Sequence, residues 1–297
     1  MTTFFHRSEE ICISWSRKEV YFMPDTYHVL CGDRRQRWAA EELRDRGFVA
    51  VAHGVPELES WPLPEELSGS LVLPFPSFQG SYLRGKEGIA VSELLSRLKP
   101  GTRVYGALLG AWKAAFEKAG AGVFDLYGSE PLTTLNAIPT AEGAIRLAID
   151  VSPLTLHGAK CLVIGFGRVG RVLAQKLHVL SADVTVSARK AADRAMAQAL
   201  GMRPDTTGLY EQGLGEFDFI FNTVPAPVLS ARQLALLKPA CILIELASKP
   251  GGIPEDICRE FGLSYHFAPG LPGLCAPETA GRLYAGCILA CAENPSE

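Results

Sequence analysis

No stretch of this 297-residue chain approaches the ~18 continuous apolar residues that a membrane-spanning helix needs. Its best run, Leu283 to Ala292, is short and interrupted. Residues 1–22 carry Arg7, Glu9, Glu10, Arg17, Lys18 and Glu19, so they lack the apolar core of a signal peptide. An excess of positive charge is missing too. The net charge of −3 gives no general attraction to nucleic acid or an anionic membrane, and any anion must be held by a local cluster. The eight cysteines form no CxxC pair and join no His-rich spacing. They read as reduced thiols of a cytoplasmic core, and no metal site is expected, Cys287 and Cys291 standing four apart without further ligands. Repeats and low-complexity tracts are absent. What remains is an α/β-sized globular chain, 47% apolar, whose partners are small molecules or proteins; self-association is left open.

The most informative stretch runs from Lys160 to Leu180. The apolar Cys161–Ile164 leads into Gly165-Phe166-Gly167-Arg168-Val169-Gly170, and Val169, Val172, Leu173, Leu177 and Leu180 follow at helical spacing. That order is strand, turn, helix. Gly165 permits the turn, Gly167 admits a pyrophosphate to the backbone, and Gly170 lets the helix lie on the strand, with the phosphates at the helix N-terminus. The second strand, Asp183 to Ala188, comes where a βαβ unit needs it, so the motif stands in the context that gives it meaning. Beyond that strand the chain reads Ser187-Ala188-Arg189-Lys190, with no acid between Thr185 and Ala192. An acid there would bond the ribose 2′-hydroxyl of NAD, whereas Arg189 and Lys190 suit the 2′-phosphate of NADP. NADP is therefore favoured over NAD, unless the two cations are solvated charges opening a helix.

Along the chain, strands at Tyr27–Cys31, Phe48–Ala52, Ser70–Leu73, Arg103–Ala107 and Val123–Leu126 alternate with helices ending at Gly47 and covering Val91–Leu98 and Ala111–Ala119. Such alternation predicts a parallel sheet with helices on both faces. The fold expected is thus two Rossmann-like, doubly wound α/β domains with a cleft between them, the second carrying the dinucleotide fingerprint. Residues 1–22 read as an extension outside the fold, 23–135 as a Rossmann- or flavodoxin-like substrate domain, and 136–297 as a crossover helix plus the cofactor domain. Asn136 to Asp150, with Pro139 before Thr140, would carry the chain across, and the last helix would pack back toward the cleft.

Ligands of open α/β sheets bind beyond the carboxyl ends of strands. That rule adds Asn222-Thr223-Val224-Pro225, Ala247 and Ser248 to the cofactor wall. It gathers Asp33, Arg34 and Arg35, Ser77, Asn136, Thr140 and Glu142, and Lys249 around the substrate. Arg34 and Lys249 are the expected anchors for a carboxylate, which guanidinium grips with two bonds. Each has a plain alternative: Asp33 can cap its helix, Arg34 and Arg35 can be solvated, Glu142 can complement a helix N-terminus, and Lys249 can belong to a turn. Neither His157 nor His266 stands where a catalyst is required.

Asn136-Ala-Ile-Pro-Thr-Ala-Glu-Gly143, the glycine motif, Asn222-Thr-Val-Pro225, Leu246-Ala-Ser-Lys-Pro-Gly-Gly252, Ala268-Pro-Gly-Leu-Pro-Gly273 and Pro277-Glu-Thr-Ala-Gly281 together resemble the family of dipicolinate synthase A chains. Gly32-Asp-Arg-Arg-Gln36 is similar to that family's Gly-Asp-x-Arg-Gln turn, whereas Pro74-Phe-Pro-Ser-Phe78 departs from its Pro-Val-Ser. The resemblance implies an NADP-linked oxidation of dihydrodipicolinate to dipicolinate in sporulating bacteria, drawing on the lysine and diaminopimelate pathway. It also implies a partner, the flavoprotein-like second subunit of dipicolinate synthase. Aromatisation drives hydride loss, so little acid–base help is needed; were a 4-hydroxyl eliminated, Glu142 or Asp33 would have to supply the proton. Two alternatives remain: an oxidoreductase of 2-hydroxyacid or alanine dehydrogenase type, and a non-catalytic NADP-binding subunit of a two-component enzyme.

Overall fold

Strand residues that bury both faces leave period-2 traces in two cores, and the computed structural model, which describes residues 26–86, 88–206 and 213–294, shows this in each half. The first half runs β1 (Tyr27–Leu30), α1 (Arg34–Asp45), β2 (Ala50–His53), β3 (Ser70–Val72), the small hairpin β4 (Phe78–Gln79) and β5 (Tyr82–Leu83), α2 (Val91–Arg97), β6 (Arg103–Gly106), α3 (Trp112–Lys118) and β7 (Gly122–Asp125). Its sheet is parallel throughout, in the order β2-β1-β3-β6-β7. Of the two doubly wound orders open to it, this is the flavodoxin-like one. Tyr27 and Val29 face one core with α1, while Leu30 faces another with α2 and α3.

The crossover helix α4 (Glu130–Val151) begins before the expected Asn136. Ser129 caps it, and Pro131 sits in the first turn, where a missing N–H leaves nothing unpaired. Pro139 falls inside the helix, and the Thr140 hydroxyl donates to the Asn136 carbonyl at 2.7 Å. The second half follows: β8 (Lys160–Ile164), α5 (Arg168–Val179), β9 (Asp183–Ser187), α6 (Ala191–Ala199), β10 (Arg203–Asp205), β11 (Phe219–Asn222), α7 (Ala231–Leu234), β12 (Ile242–Glu245), α8 (Glu255–Glu260), β13 (Ser264–Phe267), α9 (Leu271–Cys275) and α10 (Pro277–Glu293). Its parallel sheet has the order β10-β9-β8-β11-β12-β13, the dinucleotide-binding arrangement. Cys161, Val163, Phe219, Phe221, Ile242 and Ile244 face one core; Leu162, Ile164, Ile220 and Leu243 face the other. Burial pushes the Cys161 thiol up to about 12, with Asp218 adding to the shift, so it is an inert core group.

Two expectations are corrected. β10 is absent from the expected strands, because Arg203-Pro204-Asp205 lacks apolar alternation; an edge strand tolerates the proline. The division that assigns 136–297 to the cofactor half fails at its end. α10 lies along α1, and Tyr284, Ala285, Ile288 and Leu289 complete the first half's core. Gly281 makes the approach possible, since a Cβ there would stand 2.3 Å from the Arg35 carbonyl oxygen. The chain thus crosses between halves twice, through α4 and through α9–α10. The expectation for residues 1–22 lies outside the described residues.

Candidate functional site

The turn between β8 and α5 does what its glycines require. Gly165 has φ +96°, and a Cβ on it would meet Thr223 Oγ1 at 2.4 Å. At Gly170 a Cβ would stand 2.1 Å from the Gly165 carbonyl oxygen, so only glycine lets helix and strand touch. Around Gly167, the N-cap of α5, a Cβ would find nothing within 4 Å. That open space lies at a helix N-terminus with no side-chain cap, and it fits a pyrophosphate. The groove above it encloses about 500 Å³. Of the residues expected to hold a cofactor, Gly165, Phe166, Gly167, Arg168, Val169, Arg189, Lys190, Thr223, Val224 and Pro225 line it.

Others do not. Gly170 is packing, Ser187 is fully buried beneath the groove, and Ala188 forms the wall in its place. Ala247 is buried and Ser248 exposed, both away from the groove. Asn222 is interior, and its Nδ2 donates to both carboxylate oxygens of Glu245 at 2.8 and 2.9 Å. Glu245, wholly buried, also accepts from the backbone N–H of Ala247, Gly252 and Ile253 at 2.9–3.0 Å. Two loops are therefore knotted by one acid. Sequence reasoning passes over Glu245; its signal is an acid ending an otherwise apolar strand beside two glycines. Asp193 is missed as well. It lines the groove from α6, but Arg171 holds its carboxylate at 2.7 Å.

Across the cleft, Asp33 caps α1 by accepting from the Arg35 N–H at 3.0 Å and grips the Arg35 guanidinium, with Nη2 at 2.6 Å. Arg35 is almost buried and also donates to the Phe75 carbonyl oxygen. Burial works against the charge of Asp33, but the Arg35 bonds and charge hold its carboxyl below the usual range, so it is a poor proton donor at neutral pH. Arg34, an expected anchor, turns outward to Glu57 at 3.0 Å. Glu142 pairs with Lys176 of α5 at 2.8 Å on an exposed face. Neither Asp33 nor Glu142 is thus free to act as the acid that an elimination would require. Lys249, the other expected anchor, stands over the Phe267 ring, 5.3 Å from its centroid, and lines none of the cavities described. Thr140 is spent on its own helix. Ser77 is fully buried, accepting from Ala107 N–H at 2.8 Å and donating to the Pro74 carbonyl oxygen at 2.9 Å, which makes it a structural residue.

Asn136 shares a small cavity with Arg35, Phe75 and Tyr284, one helical turn from Thr133, which lines the cofactor groove. Phe75 in turn borders a second cavity of about 220 Å³ with Asp33, Arg84 and Lys86. Phe75 thus borders both first-half cavities, and α4 carries Asn136 of one of them and Thr133 of the dinucleotide groove. Among the described residues no histidine lines the groove or these two cavities: His266 meets Ser264 at 3.0 Å in β13, and burial depresses its pKa.

Residues 140–250 match the family described as D-isomer specific 2-hydroxyacid dehydrogenase, NAD binding domain. The dipicolinate synthase A chain of Bacillus subtilis (strain 168) is 28% identical over 276 residues, 88% of this chain and 93% of the relative. The crystal structure of the dipicolinate synthase A chain from Bacillus halodurans superposes with a TM-score of 0.82 at 28% identity, covering 90% of this chain and 97% of that one. The crystal structure of the Bacillus subtilis A chain gives 0.79 at 26%, over 93% and 99%. The chain thus resembles dipicolinate synthase A chains through both halves, and its second half is a dehydrogenase-type dinucleotide-binding domain. Together these support an NAD(P)-dependent oxidoreductase. Among the described residues no helix is long and apolar enough to cross a membrane.

Proposed function

We propose that this chain is the oxidoreductase component of a two-component dipicolinate synthase, oxidising dihydrodipicolinate to dipicolinate with NADP in the cytoplasm of a sporulating cell. The observation that carries the reading is its extent. The likeness to the dipicolinate synthase A chain covers 88% of this chain, both halves included, whereas the 2-hydroxyacid dehydrogenase match stops at residues 140–250. NADP, when bound, supplies the acceptor for a hydride. The chain's own residues hold and exclude. Gly167 and the N-terminus of α5 would receive the pyrophosphate and Arg189 and Lys190 the 2′-phosphate, with Thr223 to Pro225 forming another part of the groove wall. Asn136, one turn from Thr133 on α4, faces the substrate from the crossover.

Oxidation of the dihydropyridine would break one ring C–H bond with loss of a hydride, for which the bound dinucleotide would supply the acceptor. The remaining ring proton goes to solvent as the ring becomes aromatic. A 2-hydroxyacid needs a base to take the hydroxyl proton, typically a histidine; aromatisation asks for less. A groove and neighbouring cavities with no histidine on their walls among the described residues suit the second demand.

The test is dihydrodipicolinate-dependent NADPH formation by the purified chain, with and without a flavoprotein-like second subunit. Turnover in either mixture is expected. Absence in both, with NADP still bound, would favour the non-catalytic alternative. Cofactor choice is checked separately. Arg189→Ala with Lys190→Ala should weaken NADP about tenfold or more, as loss of charge-assisted phosphate contacts worth about 1.5–3 kcal/mol implies, and leave NAD nearly unchanged. Equal losses for both dinucleotides would remove the NADP preference.

A further inference from the structure

A parallel sheet in the order β2-β1-β3 reverses direction of growth between β1 and β3, and ligands lodge at such reversals, outside the carboxyl ends of the strands. The 220 Å³ cavity sits there. Gly32 and Asp33 follow β1, Pro74 and Phe75 follow β3, and Arg84 and Lys86 close it from the segment after β5. The backbone that carries the two cations is pinned to the β1–α1 turn. Gly32 N–H donates to the Arg84 carbonyl oxygen at 2.7 Å, and Arg84 N–H donates to the Ser77 carbonyl oxygen at 2.9 Å. Gly85 between them has no room for a side chain, since a Cβ would come within 2.9 Å of Gly32 N.

The charges nearby are otherwise committed. Arg34 is paired with Glu57 and Arg35 with Asp33. Among the described residues no acid forms an ion pair with Arg84 or Lys86. The one carboxylate on the cavity wall, Asp33, has its bidentate partner in Arg35 and also feels the charge of Arg84, and with Lys86 the wall carries two cations to this one acid. A guanidinium and an ammonium two residues apart on the wall of one cavity are suited to a carboxylate, the first as a fork and the second as a point charge. The cavity is too small for a whole dinucleotide; its Phe75 also borders the small cavity of Arg35 and Asn136, and Asn136 stands one turn of α4 from Thr133 of the dinucleotide groove.

We propose that Arg84 and Lys86 form the carboxylate-binding subsite of the substrate, taking the place expected of Arg34 and Lys249. This rests on the reading of the chain as an oxidoreductase of a small dicarboxylate. It deepens that reading by naming the residues that recognise the acid. One carboxylate of a planar diacid enters the cavity, and the ring lies over Phe75 toward the groove.

The experiment titrates the full chain, saturated with NADP, with pyridine-2,6-dicarboxylate, pyruvate and D-lactate by calorimetry. Pyridine-2,6-dicarboxylate should bind the wild type. Arg84→Gln and Lys86→Met should each weaken it about tenfold, and the double variant should abolish measurable binding, with NADP affinity and Tm unchanged. Arg34→Ala should leave it within twofold. Undiminished binding of the diacid to the double variant overturns the subsite while leaving the oxidoreductase reading intact. Binding of pyruvate or lactate instead, lost in the double variant, supports the subsite and overturns the dicarboxylate substrate. No binding of any of the three acids overturns the subsite.

Discussion

The two halves of this chain open with the same device, a parallel strand turning through glycine into a helix, and use it in opposite ways. At β1–α1 the helix N-terminus is filled by its own carboxylate. Asp33 accepts from the Arg35 N–H and locks the Arg35 side chain, and the turn is closed. At β8–α5 the N-cap is Gly167, which offers no side chain and leaves open space above the first turn. A helix N-terminus attracts an anion in either case. Whether that anion is internal or foreign is decided by one residue. The self-capped half can hold a ligand only beside its helix, against side chains. The bare half can hold one directly on its backbone.

The comparison breaks most visibly if the bare terminus is given the other's cap. Gly167 has φ −76° and ψ −163°, which any residue adopts, so Gly167→Asp is accommodated without strain. Its carboxylate would accept from the first turn of α5 and oppose the pyrophosphate. Like-charge juxtaposition costs several kcal/mol, so dinucleotide affinity should fall at least ~100-fold, about 2.8 kcal/mol, while Tm holds or rises. Retained affinity measured by calorimetry would show that the phosphates lie elsewhere.

The same contrast explains what could be read from the sequence. A bare cap leaves a glycine signature, so Gly165, Gly167 and Gly170 are legible, and with them most of the groove. Alternating strands and helices are legible too, because strands buried on both faces read as apolar runs. The proposed substrate side has no such signature, since its cavity is assembled from three separated segments around residues 32, 75 and 84. Arg34 and Arg35 are adjacent in sequence, yet one points to Glu57 and the other to Asp33; the helical rotation of about 100° per residue separates them. Glu245 and Asn222 are split between loops, and only the pairing of β11 with β12 sets them opposite each other. The second crossing is hidden because α10 is apolar on the side that any neighbour could cover, and its sequence does not say which sheet that is.

Removing the cap from the first half sharpens the comparison from its other side. Asp33→Ala takes away the α1 cap and the carboxylate partner of a nearly buried guanidinium, which retains its bond to the Phe75 carbonyl oxygen. The loss should be about 1–2 kcal/mol of stability, read by urea denaturation. Asp33→Asn should recover part of it, since the amide oxygen can still cap. Because the folded carboxyl titrates below its ordinary value, its contribution is complete above that ordinary value and is lost as pH falls from it through the lower, folded value. The acid limb of the stability profile should therefore be shallower in Asp33→Asn. An unaltered limb would mean that the Asp33–Arg35 pair does not contribute.

A smaller difference concerns protons inside the sheets. The first sheet holds two histidines on adjacent strands, His28 Nδ1 and His53 Nε2 being 3.0 Å apart, with His53 Nδ1 at 2.9 Å from the Trp61 carbonyl oxygen. The carbonyl requires a proton on His53 Nδ1, so in the neutral pair His28 donates to the bare Nε2. A second proton has no acceptor to serve. Burial, with His53 beside it, pushes His28 down to about 4, and burial lowers His53 as well. The unfolded chain takes up a proton near the ordinary histidine value of 6.5, and the folded chain does so at His28 only near 4. Stability is therefore full above the higher value and is lost as pH falls from it toward the lower. Between pH 7 and 6 the loss should be about 0.7 kcal/mol for His28, steepening to about 1.4 kcal/mol per unit below, and His53 adds to it in the same direction. The core strands of the second sheet carry no histidine pair of this kind among the described residues, so acid should loosen the first half before the second. Hydrogen exchange at pH 5.5 should show β1 and β2 opening more readily than β8 and β11, and His28→Leu should flatten the dependence of Tm on pH in this range. Equal protection of the two sheets, together with an unchanged Tm profile in His28→Leu, would place the acid-sensitive groups outside this pair.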